Sequence, residues 1–278
     1  MAAARDRELT LQEAADLLGV HYMTAYRYVR TGRLAAKRTD GKWVVARSSL
    51  DQLARPAAPG RGRARRVRHR DYAGDLATLL VAGDEAGSWR LAQDALTAAF
   101  TPEELYCDVL AAAMHTIGDR WAAETVSVAE EHRATAVAAR LVGRLGGLFV
   151  RRGRRRGLVV LGAPSGDTHG LATALVADPV RGRGFTVADL GADTPVSSFT
   201  EVAADPDTVG VGVVVSTPVG DTVVRDTIAG IHAVTDAPVV LGGVAVAGPD
   251  HAYALGADAH SASMRGAIDW FAALGAAR

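Results

Sequence analysis

The stretch Leu158-Val159-Val160-Leu161-Gly162-Ala163-Pro164-Ser165-Gly166-Asp167-Thr168-His169-Gly170-Leu171-Ala172 decides the fold class of this chain. A short apolar run breaks at glycine into a loop of Pro, Ser, Gly and Asp, and apolar residues then resume at helical spacing. That order reads as a buried strand followed by a crossover helix. From Leu158 onward, short Val/Leu runs keep alternating with amphipathic segments, as β-α units around a parallel sheet require. Five strands are expected, near Leu158–Leu161, Thr186–Leu190, Val209–Ser216, Val239–Leu241 and Ala257–Ala259, with helices in the gaps and at the C-terminus. Ligands of open α/β sheets sit at the carboxyl ends of the strands, so the loop through His169 is where a site belongs. A His beside an Asp there suits a metal, with the carboxylate taking the other ring proton and fixing the tautomer. A loop histidine satisfied by that hydrogen bond alone is the plainer reading. The glycines on both sides leave room for a bulky ligand near the backbone.

Upstream lies a basic run, Arg151 to Arg156, and before it an Ala-, Leu- and Val-rich region, about Asp71 to Val150, with helical spacing and almost no strand signal. It reads as four helices. Thr101-Pro102-Glu103-Glu104 starts one of them, with Pro at the first helical position and a capping carboxylate, and this helix runs to about Arg120-Trp121. Ser127-Val128-Ala129-Glu130 opens the next and places Glu131 and His132 in its first turn. A helix N-terminus disfavours imidazolium, which keeps His132 neutral and able to ligate metal. Taken alone, Trp121 is a core residue and Glu131-His132 a solvated turn.

The N-terminal region, about Arg7 to Leu53, is a compact head. Thr10-Leu11-Gln12-Glu13 forms a capping box, and Leu11, Ala14, Ala15 and Leu18 line one helix face. Gly19 ends that helix and Val20 anchors a tight turn. A second helix, about Tyr22 to Arg30, offers His21, Tyr22, Thr24, Arg27, Tyr28 and Arg30 to base edges and phosphates. Asp40-Gly41 between β-compatible runs predicts a hairpin wing presenting Lys37, Arg38 and Lys42. A short helix, about Ser49 to Leu53, closes the unit. Arg55 to Arg70 is a Pro-, Gly- and Arg-rich linker with too little apolar content to fold alone. The expected boundaries are therefore 1–54, 55–70, 71–150 and 157–278.

Charge separates these parts. The 278 residues carry 31 Lys+Arg and 31 Asp+Glu, a net charge of zero. Residues 1–70 hold 16 basic and 6 acidic residues, a balance of +10, while 71–278 hold 15 and 25, a balance of −10. A basic head on an acidic body points to a nucleic-acid partner for the head. The single cysteine, Cys107, excludes a disulfide framework or a Cys-rich metal site and fits a reducing cytosol. No apolar run is long enough to span a bilayer, and Arg5 to Glu8 interrupt any signal-peptide pattern. A cytoplasmic, nucleoid-associated protein without membrane contact is expected.

The head resembles the winged helix-turn-helix of the excisionase and MerR-like class over residues 9–53. Asp167-x-His169, then Ser216, then Gly242-Gly243, at the ends of the first, third and fourth sheet strands, resembles the cobalamin-binding domain, a flavodoxin-like (Rossmann-type) α/β fold. The resemblance implies His169 as lower cobalt ligand, Asp167 as its partner, and Ser216, Gly242 and Gly243 against the displaced nucleotide tail. Two departures from the pattern are Ala172, where a Gly is usual, and Pro218, where a Leu is usual. Trp121, nine residues and then Glu131-His132 resembles the signature of the CarH/LitR family of adenosylcobalamin-dependent photoreceptor transcription regulators.

That resemblance implies a multidomain chain: winged helix-turn-helix, four-helix bundle as cobalamin cap, then a five-stranded cobalamin-binding domain. It implies adenosylcobalamin (vitamin B12, cobalt) as cofactor, with Trp121 over the adenosyl group. It further implies self-association to a dimer or tetramer, repression of operator DNA in the dark, and His132 as upper ligand after light. No catalytic residue is assigned, and an enzyme is not expected. The alternatives are a light-independent regulator, sensing cobalamin or working as the apo form, and a corrinoid carrier for methyl transfer. Asp193-Thr194, after the second strand, is placed near the site by position alone.

Overall fold

The computed structural model describes residues 8–18, 25, 29, 34–39, 42–49, 70–151 and 153–274. The chain divides into two compact units, Met1–Val67 and Arg68–Arg278.

In the first unit, strand β1 (Glu8–Thr10) leads into helix α1 (Leu11–Leu18), and β2 (Ala36–Thr39) pairs antiparallel with β3 (Lys42–Ala46). The capping box forms: the Thr10 amide donates to Glu13 Oε2 at 2.8 Å, and the Glu13 amide donates to Thr10 Oγ1 at 3.2 Å. Leu11, Ala14 and Ala15 bury against Leu34 and Val45, with Trp43 packed at the edge. Strand β1, which has no signal of its own in the sequence, adds to β3 and makes a three-stranded sheet of order β1-β3-β2. Residues 47–49 are already helical, ahead of the expected start at Ser49. Of the second helix, only Ala25 and Val29 are described, both helical.

The second unit opens with helices α2 (Tyr72–Ala82) and α3 (Glu85–Thr97), whose N-caps Asp71 and Asp84 accept from the Gly74 and Gly87 amides. Helix α4 (Pro102–Glu104) begins on the Thr101/Glu104 capping box and runs through π-helical Leu105–Leu110 into α5 (Ala111–Ala122). The Ala111 amide bonds the Tyr106 carbonyl, five residues back. Helix α6 (Val128–Leu145) starts on the Ser127/Glu130 box and ends in a 3-10 turn, Gly146–Phe149. Ala134, Val137, Ala138, Leu141 and Leu145 form its buried stripe at spacings of three and four.

The sheet follows: β4 (Leu158–Gly162), β5 (Thr186–Asp189), β6 (Thr208–Val214), β7 (Val239–Gly242) and β8 (Ala259–Ser261), all parallel, in the order β5-β4-β6-β7-β8. Helices α7 (Gly170–Gly182) and α11 (Met264–Leu274) cover one face, where Val159, Leu161 and Val240 meet Val180, Ile268 and Phe271. Helices α8 (Val196–Ala203), α9 (Asp221–His232) and α10 (Pro249–Ala254) cover the other, where Val160, Val211 and Leu241 meet Phe199, Ile228 and Ala252. Apolar residues on both faces explain why the strands read as continuous Val/Leu runs. The last strand begins two residues later than expected. Ala257 still closes α10 through its bond to the Ala252 carbonyl, and the Asp258 side chain takes the Val239 amide.

The helical segment and the sheet, expected as separate domains, share one compact unit. The fully buried Tyr106 donates to Asp178 Oδ2 on α7 at 2.9 Å and lies 3.2 Å from the Val142 carbonyl on α6. Around that contact, Arg183 grips Glu103 with two bonds of 2.7 and 3.0 Å, and Arg265 reaches Asp108 at 2.8 Å. Among the described residues, no helix is long and apolar enough to cross a membrane.

Candidate cofactor site

The chain leaves β4, runs outward to β5 and crosses back to β6, so β4 and β6 are the neighbours where strand order reverses. A crevice at their carboxyl ends follows from that topology. The loop after β4 carries Asp167 and His169, and the loop after β6 carries Ser216 and Thr217.

Asp167 is fully buried and its carboxylate joins the two loops. Its Oδ2 accepts from the Ser216 amide at 2.5 Å and from the Thr217 amide at 3.3 Å. Its Oδ1 accepts from the His169 amide at 3.0 Å and lies 3.1 Å from His169 Nδ1. In the neutral ring a carboxylate in this place selects the tautomer with the proton on Nδ1, which leaves the lone pair on Nε2. The His169 side chain is 49% exposed, which makes it open to a ligand. Asp193 supports the loop: its Oδ1 accepts from the Gly166 amide at 2.8 Å, and its own amide bonds the Asp167 carbonyl at 2.7 Å. Asp193 has a φ of +49°, unusual for a residue with a side chain. The Thr194 amide bonds the Ala163 carbonyl, so both residues border the same loop. Thr217 takes part through its backbone alone, so no side-chain pattern in the sequence marks it.

Gly242 ends β7 and Gly243 follows it; the amide of Val215, the residue before Ser216, bonds the Gly242 carbonyl at 2.8 Å. A Cβ on Gly243 would sit 2.1 Å from the Val215 carbonyl oxygen, and its φ is +114°. A Cβ on Gly242 would sit 2.9 Å from the Ser261 oxygen. Close backbone approach therefore demands both glycines, and the strand ends here present no side chain to a ligand. Ala172 lies in α7, and Pro218 is exposed just after Thr217.

On the helical side, Glu131 and His132 occupy the first turn of α6. His132 is exposed, with Nδ1 2.7 Å from Glu131 Oε2, while Glu131 Oε1 accepts from Thr135 at 2.7 Å. Partial burial pushes the Glu131 carboxyl up, but bonds from His132 and Thr135 and the fields of His132 and His169 outweigh it, and the net shift is downward. Trp121, near the end of α5, is half-exposed, as is Val128 at the start of α6. Val128 lies one helical turn before His132, so apolar surface is left open beside that exposed imidazole.

The set fits a corrinoid cofactor held by a histidine: a half-exposed imidazole aimed by a buried carboxylate, glycines at the end of β7, and a half-exposed indole on the helical side. The residues expected to read DNA fare differently. His21, Tyr22, Thr24, Arg27, Tyr28 and Arg30 lie outside the described residues. Lys37 is exposed on β2. Arg38 and Lys42 lie on β2 and β3, and their side chains are outside the description.

Comparison with known proteins adds to this geometry. Residues 72–145, the helical segment, match the family described as B12 binding domain, and residues 8–56 match a helix-turn-helix domain. These matches support a cobalamin-binding helix-turn-helix protein. The chain is similar to trimethylamine corrinoid protein 1 of Methanosarcina acetivorans, 30% identical over 128 residues, which is 44% of this chain and 58% of that protein. It is also similar to the dimethylamine corrinoid protein of Methanosarcina barkeri, 33% identical over 23% of this chain and 32% of that protein. The matched parts thus span from a third to just over half of these relatives. The structure of the Methanosarcina barkeri monomethylamine corrinoid protein superposes with a TM-score of 0.60 at 21% identity, over 73% of this chain and 98% of that one, a likeness of fold.

Proposed function

We propose that this chain is a light-responsive transcription regulator, not an enzyme, that holds adenosylcobalamin in the dark, self-associates and occupies operator DNA, and releases it after illumination. The observation that carries the reading is the pairing, in one chain, of a basic helix-turn-helix head with a body that aims His169 outward from a buried Asp167. His169 Nε2 would serve as the lower cobalt ligand, with Asp167 positioning the ring. Ser216, Gly242 and Gly243 would border the nucleotide tail. Trp121 would cover the upper face, where Glu131 holds His132 by Nδ1 and leaves Nε2 to serve as the upper nitrogen after light. When bound, adenosylcobalamin supplies a cobalt–carbon bond that light cleaves. Several heads carried by one assembled body bind repeated sites far more tightly than one head alone. The switch requires that the two cofactor states differ in their preference for the associated form.

DNA binding of the full chain, measured without cofactor, with adenosylcobalamin in the dark and after green light, tests this directly. Tight binding only in the dark, cofactor-loaded sample is expected. Binding that ignores both cofactor and light refutes the proposal, and binding that follows cofactor but not light converts it to a light-independent cobalamin sensor. A second reading, a corrinoid carrier for methyl transfer, draws on the names of the similar Methanosarcina proteins. It predicts cofactor binding with no sequence-dependent hold on DNA.

A further inference from the structure

The body is acidic overall, yet five of its 15 basic residues crowd into the six positions Arg151 to Arg156. Nearby arginines are engaged. Arg156 donates to the Ala272 carbonyl at 2.7 Å and stacks over Phe185 at 4.6 Å; Arg181 pairs with Asp178, and Arg183 with Glu103. Arg151, Arg154 and Arg155 differ. All three are exposed, and among the described residues none has a carboxylate at ion-pair distance.

Their loop is nevertheless held at both ends. Phe149 is buried just before it, and the Arg156 amide bonds the Gly184 carbonyl at 3.1 Å just after it. Gly153, at φ +119° in open space, turns the chain between the arginines. Because the loop leads into the start of β4, it lies at the amino-terminal edge of the sheet, opposite the strand ends that carry His169.

We propose that Arg151, Arg154 and Arg155 form a phosphate-binding patch for duplex DNA on the body. The inference rests on the DNA-binding reading above and extends it from the head to the body. Three unpaired guanidinium groups on an anchored loop match the charge and bidentate geometry of backbone phosphates. DNA engaged by the head of the same chain is present at high effective concentration. Such contacts carry no sequence information and appear as salt dependence.

The test is anisotropy with random-sequence duplex DNA and the full chain, from about 50 to 200 mM salt. Each lost phosphate contact lowers the slope of log affinity against log salt by about 0.9, so R151Q/R154Q/R155Q should lower it by about two to three and weaken binding roughly tenfold or more. Its cobalamin absorbance should equal the parent's, because the patch lies away from His169. R225Q, which removes an exposed charge on α9, should leave the slope unchanged. The patch is refuted if the triple variant matches the parent, if R225Q has as large an effect per charge, or if only binding to phosphatidylserine vesicles falls. A parent chain that binds no DNA would remove the DNA-binding reading itself, whereas a parent that binds with an unaltered triple variant removes this inference alone.

Discussion

The buried carboxylate of Asp167 lies 3.1 Å from Nδ1 of His169, and its other oxygen accepts the Ser216 amide from the neighbouring strand end. One side chain therefore joins two loops at the point of strand-order reversal and sets the direction of the imidazole that faces solvent.

Asp167→Ala should impair both roles. It leaves the amides of His169, Ser216 and Thr217 without their acceptor and should cost about 2–3 kcal/mol in urea unfolding. Because the ring loses its orienting partner, cobalamin affinity should fall by about 10- to 100-fold in an absorbance titration. His169→Ala should lose the affinity while keeping the stability, since the Asp167 bonds to the Ser216 and Thr217 amides do not involve the ring. Equal loss of stability in both variants would contradict the division of labour.

Gly243→Ala places a methyl against the Val215 carbonyl at a backbone angle that side chains rarely adopt. A destabilisation of at least about 1–3 kcal/mol is expected from thermal or urea unfolding. Gly118→Ala, a helical position with open space around its Cβ, should instead stabilise by up to about 1 kcal/mol.

Tyr106→Phe removes the hydroxyl that Asp178 and the Val142 carbonyl share. Since ring packing is retained, the cost should be about 1–2 kcal/mol. Burial, with Asp178 adding, raises the Tyr106 phenol above its ordinary range and keeps it a neutral donor in mildly alkaline solution. This bond is one of the ties between the helical segment and the sheet, so amide exchange in α4 and the π-helical turn should quicken in the variant.

Cys107 should behave as an inert thiol at neutral pH. Burial pushes it up to about 11; Arg265 pulls the other way, while Glu103, Asp108 and Asp269 add to the rise. The folded chain therefore keeps this proton longer than the unfolded chain does. The linked stability is complete below about pH 9 and is lost as pH rises through about 11. Alkylation by iodoacetamide should show a midpoint near pH 11; a midpoint near 9 would place the thiol in free solvent.

Features coded over a few neighbouring residues were legible in the sequence. The Leu158 run, the capping boxes at Thr10, Thr101 and Ser127, and the Asp167-x-His169 pair each rest on contacts within a few positions, and each appears in the structure. What the sequence hid depends on distant partners. Strand β1 exists because Glu8 to Thr10 find β3 more than 30 residues away. The π-helical turn brings Tyr106, Cys107 and Asp108 onto the sheet unit, a demand set by Asp178 and Arg265 and not by local propensity. The clamp on Asp167 comes from backbone amides 49 and 50 residues onward, which no motif can display.

The most direct test of the account is cofactor binding itself. The full chain and its His169→Ala variant are incubated in the dark with adenosylcobalamin, freed of unbound cofactor by gel filtration and scanned for absorbance. If His169 holds the cofactor, stoichiometric cobalamin absorbance co-elutes with the parent, that spectrum changes after green light, and little cofactor stays with the variant. A parent chain that elutes without cobalamin absorbance would contradict it.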